Sequence, residues 1–416
     1  MKLKGRNGIF YGWYIVLAGF IIMGVNVGIV SNCGSQFIKP IAEELGYTRA
    51  EVGMMQTVMA MCYMAMSFMA GKILARDDLG KILKVDVFIV PIAYFCYSFV
   101  NSLPMLYVIS VVVGVSYSLL GVLAFSVIIP NWFIEKRGKA IGLSFMGSGV
   151  GGMIFNFLAG QWLGTYGWRM TYRILAVCLF VIMAPFVLFV LKVKPSEMGL
   201  EPYGAENTAL YGENAGAASC GGVTFKEAVR SPSFWLLVIG NAAMGMCTYC
   251  CMQTIAPHLS DIGYSTMFAA TMVSLAMGTL AIGKYSLGIL FDRAGPKWAT
   301  VLSAASYILG AVGLLFGRFR PAMVLILIGA GLGCAFGSVG VPIITETVFG
   351  RREYAAIYGV LTGTSSLITT FNPTLANLVF DRTGSYDLCY VAAICLATMA
   401  GAIFAGFFTR MERAKK

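Results

Sequence analysis

Apolar runs long enough to cross a bilayer recur about twelve times along this chain. They lie near residues 10–37, 50–73, 83–101, 104–130, 139–165, 168–192, 232–260, 265–290, 297–317, 321–346, 354–380 and 386–409. A helix needs about 20 apolar residues to cross the hydrocarbon core, so runs of this length read as membrane spans. Composition agrees: of 416 residues, 58% are hydrophobic and only 12% are charged. No soluble core hides that much apolar surface. The start, Met1-Lys-Leu-Lys-Gly-Arg, resembles the charged region of a signal peptide. The apolar run behind it is too long for one and lacks a small-residue cleavage site, so it reads as a first span that stays.

The net charge of +11 is no nucleic-acid footprint, because the cations form short clusters between spans rather than a basic face with stacking aromatics. They suit contact with anionic lipid. With both ends on one side of the membrane, that side collects 22 Lys and Arg and the opposite side 7. The positive-inside rule then places both termini in the cytoplasm. One cation stays outside that count: Lys284, in the run "LAIGKYSLGIL".

The eleven cysteines fall mostly within spans and read as small packing residues. Cys247-Thr-Tyr-Cys250 is a CxxC in letters, but it has no second pair and no neighbouring histidine, so no metal is expected. His258 is the only histidine, which removes every motif that needs two. With no nucleophile–base set or carboxylate pair at one membrane level, an enzyme is a poor reading, and no cofactor is expected. "GSGVGG" (147–152) matches a dinucleotide fingerprint in letters only, since it lies inside a span and follows no strand.

The longest polar stretch separates six spans from six. Residues 1–193 read as one six-helix bundle, 194–230 as a flexible cytoplasmic linker and 231–416 as a second bundle. The halves resemble each other at a fixed offset. Gly71 and Gly288 are 217 apart, Phe133 and Phe349 216, and Gly167 and Gly384 217. Parallel repeats of this kind place a substrate site at mid-depth between the halves.

"GILFDRAGPK" (288–297) resembles the loop motif of major facilitator superfamily transporters. The resemblance implies close packing at glycine and a cytoplasmic charge clasp of Asp292, Arg293 and Lys297, with Gly288 and Gly295 in the same motif. The first-half copy departs from it, with Ala75 where Asp is expected and extra residues in "RDDLGK". Within the superfamily, "YGWYIV" (11–16), "NWFIEKRGKAIGLSFMGSGVGG" (131–152), "YGWR" (166–169), "KPSEMGLEP" (194–202) and "AAIYGVLTGTSSL" (355–367) resemble the monocarboxylate porter and oxalate/formate antiporter group. The implied fold is all-α: twelve transmembrane helices in two pseudo-symmetric six-helix bundles.

Lys284 is the foremost candidate for binding substrate. A central cation costs roughly 2.5–3.5 kcal/mol on insertion scales, and its side chain points back toward the start of its own helix, away from the nearer cytoplasmic exit. Snorkelling to the interface is the alternative. The resemblance implies a basic residue here for a substrate carboxylate, usually Arg, with Lys supplying a point charge instead of a fork. The eleventh span, where the oxalate exchanger carries a second cation, has none here, which favours monoanions. Tyr117 is a second candidate, with Gly114 and Gly121 on its helical face expected to leave room beside the phenol. Small-polar stripes (Gly24, Gly28, Asn32, Ser35 and Gln36 in span one; Asn241, Gly245, Thr248 and Met252 in span seven) read as packing seams or path linings. Asn32, Asn241 and Asn372 are the lining candidates, with Asn377 similar across Pro373. Asp86 and Glu346 are expected at cytoplasmic ends as clasp members. Asp261, one turn past His258, is the best-placed carboxylate for taking a proton from outside.

The expected function is secondary transport of a small organic monocarboxylate by alternating access, with protons as the coupling ion. Anion exchange and export of amphipathic compounds on the same fold are alternatives, and a transporter-like ligand sensor is the rival from another class. The expected setting is a plasma membrane, such as a bacterial inner membrane, with a monomer in lipid and no nucleic-acid partner.

Overall fold

A computed structural model describes residues 10–74, 78–205 and 222–414. The chain is all-α and forms two compact units, Met1–Tyr211 and Gly212–Lys416. Lipid offers a backbone no hydrogen bonds, so each span satisfies its own. The twelve spans are α1 (Gly12–Leu45), α2 (Arg49–Leu74), α3 (Leu79–Tyr97), α4 (Leu103–Trp132), α5 (137–166) and α6 (168–190) in the first unit. The second unit holds α7 (232–261), α8 (266–294), α9 (296–315), α10 (Ala322–Phe349), α11 (354–383) and α12 (Asp387–Ala414). Two helix pairs run on with a single residue between them, Gly167 (φ 74°, ψ 172°) and Gly295 (φ 76°, ψ 171°). Both conformations favour glycine.

Helices in lipid gain little from hiding apolar surface, so close packing holds them together. In the first unit α1 and α5 meet backbone to backbone. A Cβ on Gly151 would lie 1.8 Å from the Gly24 carbonyl oxygen, and one on Gly147 1.9 Å from that of Phe20. Ser144 closes the seam by donating to the Val16 carbonyl at 3.0 Å. The span-one stripe is therefore a packing seam. At the end of α1, Glu44 accepts from Trp168 Nε1 and from Arg169 Nε at 2.9 Å, and Arg169 also bonds Asn101 and the Ser98 carbonyl. That arginine ties α6 to α1 and to the α3–α4 turn.

The second unit repeats the device around α10. A Cβ on Gly283 would sit 2.3 Å from the Gly331 carbonyl oxygen, and one on Gly329 2.4 Å from the Gly310 Cα. The α7 stripe is likewise a seam at Gly245, against Thr369 of α11.

The stretch expected as a flexible linker is anchored at both described ends. Tyr203 donates its N–H to the Trp132 carbonyl at 2.9 Å and receives that of Ile134 at 2.9 Å. Val223 bonds the Phe349 carbonyl at 3.1 Å, and Gly222 bridges Gly350. A short helix follows, Phe225–Arg230, with a capping box. There the Thr224 backbone N–H and its hydroxyl hold the Glu227 carboxyl below its ordinary range. Two backbone bridges, each just past α4 or its counterpart α10, use partners that no local pattern announces. Residues 206–221 lie outside the described residues, as does Ala75.

Gly151→Ala tests the seam. Overpacking costs typically 1–3 kcal/mol, so the variant should melt well below the parent in detergent. Gly164→Ala, where no atom stands within 4 Å of the added methyl, should be neutral or gain up to about 1 kcal/mol in helix propensity. Equal melting of the two variants would remove the seam as a determinant of the fold.

Candidate functional site

Two polar clusters stand inside the apolar units, each where a helix departs from regular geometry. In the second unit α10 contains two π-helical segments, Gly329–Gly333 and Phe336–Gly340. Such wide turns in an α-helix often mark functional positions. Cys334 lies between them. Lys284 on α8 is buried, 8% exposed, beside the Gly283–Gly331 contact that draws α8 and α10 together. The Cys334 thiol is within electrostatic reach of the Lys284 ammonium and stands beside Tyr307 of α9. Tyr307 in turn meets Thr248 of α7 at 2.5 Å. Thr248 spends its own proton on the Met244 carbonyl, so the Tyr307 hydroxyl donates to it. A polar chain therefore runs from the cation through α10 and α9 to α7.

In the first unit the π-helical segment is Val27–Asn32 of α1. Its freed carbonyls find side-chain donors: Cys33 bonds Gly28 at 3.2 Å and Tyr94 bonds Ile29 at 3.2 Å. Exposed Ser31 stands beside the hydroxyl of Tyr117 of α4, whose ring lies 5.8 Å from that of Tyr63. Just past Tyr117, α4 is interrupted at Leu120–Gly121, and Asn26 donates to the Leu120 carbonyl at 3.0 Å. On its Gly114 side, Tyr117 has no open space beside it. A Cβ on Gly114 would lie 2.9 Å from Cys62 Cβ and Met59 Cα, so that space is filled by α2.

The remaining expectations divide by environment. The Asn32 amide lies over Gly152 of α5, within the seam. Asn241 borders a narrow apolar cleft with Leu237, Phe336 and Leu361. Asn372 is 6% exposed, and its Oδ1 meets no hydrogen-bond donor among the described residues; the side chain of Asn377 lies outside them. His258 is buried, bonds the Leu314 carbonyl at 2.9 Å and stands edge-on to Tyr390 at 5.0 Å. Asp261 is exposed. Gly288 is buried, Asp292 and Arg293 are exposed, and Lys297 is half-buried past the Gly295 turn. Glu346 pairs with Arg351 at 2.5 Å, at the end of α10 as expected. Asp86 departs from expectation: it is 2% exposed within α3 rather than at a solvated end.

Ser31, Cys334 and Tyr307 were not among the sequence candidates. The repeat offset carried a signal for two positions. At 217 residues, Tyr117 falls on Cys334 and Ser67 on Lys284, so the two clusters are repeat equivalents built from different side chains.

The Major Facilitator Superfamily model matches residues 16–341. The chain belongs to this superfamily. Among curated relatives, the uncharacterized transporter ESBP6 of Saccharomyces cerevisiae is 26% identical over 213 residues, half of this chain but 30% of the yeast protein's length. Monocarboxylate transporter 2 of Homo sapiens is 22% identical over 419 residues, 94% of this chain and 84% of that one. Among solved structures, the proton:xylose symporter XylE bound to 6-bromo-6-deoxy-D-glucose superposes with a TM-score of 0.70 at 15% identity, over 95% of this chain and 96% of that one. The fold is that of a multi-pass membrane transporter.

The polar chain is tested by a double-mutant cycle on Thr248→Val and Tyr307→Phe. A buried hydroxyl pair contributes about 1 kcal/mol, so the two losses of thermal stability should couple by that order. Strict additivity would mean the two hydroxyls do not interact.

Proposed function

We propose that the chain is a secondary carrier of a small organic monoanion, moved by alternating access together with a proton. The observation that carries this reading is Lys284, a cation buried in an apolar span. An intramembrane charge is expensive and needs a compensating use. A substrate carboxylate supplies it, because each ion replaces part of the hydration the other has lost. One cation matches one carboxylate, and a monoanion with a proton crosses without net charge. The resemblance to a protein named monocarboxylate transporter 2 supports the substrate class.

Tyr117, already beside Ser31 and Tyr63, offers a hydroxyl to substrate in the first unit. Asp292, Arg293 and Lys297 around the Gly295 turn act as the clasp that latches one state. The excess of Lys and Arg on one side sets both termini in the cytoplasm of a cell bearing the carrier in its plasma membrane.

Three substitutions test it, with uptake of labelled monocarboxylates normalised to membrane expression. Lys284→Gln should insert and fold at least as well as the parent, since it removes a costly charge, yet lose anion binding. Lys284→Arg should keep measurable transport with altered selectivity, because the charge persists and its geometry changes. Tyr117→Phe should weaken apparent affinity by roughly ten- to a hundredfold, a hydrogen bond to a charge being worth ~1.5–3 kcal/mol. Robust transport by Lys284→Gln would mean that the ammonium merely snorkels, and the anion reading would fall.

A further inference from the structure

Asp86 is a buried carboxyl in the first unit. It lies within α3, 2% exposed, with the Ser116 hydroxyl of α4 beside its carboxyl. Its second oxygen, Oδ2, has no hydrogen-bond partner among the described residues. A buried carboxylate is stable when two or three donors or a cation satisfy it; an unsatisfied oxygen in apolar surroundings is far less costly as a carboxylic acid.

The charged and titratable groups on the elements packed against α3 are engaged elsewhere. On α6, Arg169 bonds Glu44 and Arg173 bonds Ser98, while the Tyr172 ring is stacked on Phe37; Cys178 is half-buried. At the start of α5, Arg137 bonds the Phe133 carbonyl and Lys139 faces the Trp13 ring. On α4, Tyr117 turns to Ser31 and Tyr107 to the Glu51 carbonyl. Lys81 and Lys84 of α3 itself lie toward its start, Lys81 paired with Asp78 at 2.9 Å. Among the described residues only Ser116 acts on the Asp86 carboxyl.

Ser116 is placed to pass on the state of that carboxyl. It adjoins Tyr117, and its carbonyl accepts the N–H of Leu120 at 3.1 Å, where α4 is interrupted. We propose that Asp86 is a proton-binding site of the first unit, and that its protonation sets the position of α4 and hence of Tyr117. The proton comes from bulk water, adds to an Asp86 carboxylate oxygen when one face of the unit is wet, and leaves to water on the other side. No bond other than O–H forms or breaks. The role in coupling rests on the symport reading above; the proton site itself does not. Asp261 is exposed, so its protonation is not tied to closure in the same way.

The test uses the full chain in liposomes and two variants, Asp86→Asn and Asp261→Asn. Infrared difference spectra across a pH titration should show the carbonyl stretch of a buried protonated carboxyl in the parent and in Asp261→Asn, and lose it in Asp86→Asn. The Asp86→Asn variant should keep counterflow of preloaded anion while losing accumulation driven by an acid outside. Asp86→Glu should restore part of it. A parent spectrum without that band, or with one that survives Asp86→Asn, overturns the proton site. Acid-driven accumulation that persists in Asp86→Asn and disappears in Asp261→Asn overturns its role in coupling. Were the parent not to accumulate anions on acidification while the Asp86 band is present, the symport reading would fall and the coupling role with it, and the proton site would stand.

Discussion

The structure depends on contact between backbones. In lipid, a helix gains nothing from turning leucines toward a neighbour, so stability comes from surfaces that approach closely. The Gly24–Gly151 approach in the first unit and the Gly283–Gly331 approach in the second leave no space for a single methyl. Irregular turns accompany these close approaches. The π-helical segments lie at these contacts: Val27–Asn32 adjoins the α1–α5 seam, and Gly329–Gly333 contains Gly331 itself. Irregular backbone frees carbonyls, and freed carbonyls require donors in a medium without water. Cys33, Tyr94 and Asn26 answer that requirement in the first unit. The packing of glycines thus creates the polar interior.

That order of causes explains what was legible in the sequence. Span number, the repeat and the family motifs are carried by runs of residue types, and each could be read from the residues themselves. Lys284 stood out because a cation in an apolar run is visible without coordinates. The stripe of small residues around Gly28 was equally visible, but its role depended on which helix faced it. The Tyr117 glycines misled for the same reason: their spacing marks a face, and α2 rather than a cavity occupies it.

Asp86 was illegible for a different reason. Boundaries read from composition carry an error of several residues, so Asp86, near the start of the span read at 83–101, could be placed only at a cytoplasmic end. In the structure it lies in the first turns of α3, buried against Ser116. The same limit hid Cys334, which looks like a packing residue until Tyr307 and Lys284 are brought to it from α9 and α8. Long-range partners decide the role of a small polar side chain, and periodicity holds no record of them.

The repeat supplies an independent argument that the two buried charges are functional. At the offset of 217, Lys284 corresponds to Ser67 and Asp86 to Ser303. Both serines are fully buried, and each satisfies itself by donating to the carbonyl four residues earlier, Ser67 to Tyr63 at 2.9 Å and Ser303 to Ala299 at 3.0 Å. A serine bonded in this way needs no partner from another helix and places no net charge in lipid. Each unit therefore demonstrates, at the position where the other carries a charge, that its fold is complete with a small self-satisfied hydroxyl. Packing does not call for the ammonium in the second unit or the carboxyl in the first. Their burial has a cost that the fold does not require, and the proposed uses, a substrate charge in one unit and a proton in the other, would account for it.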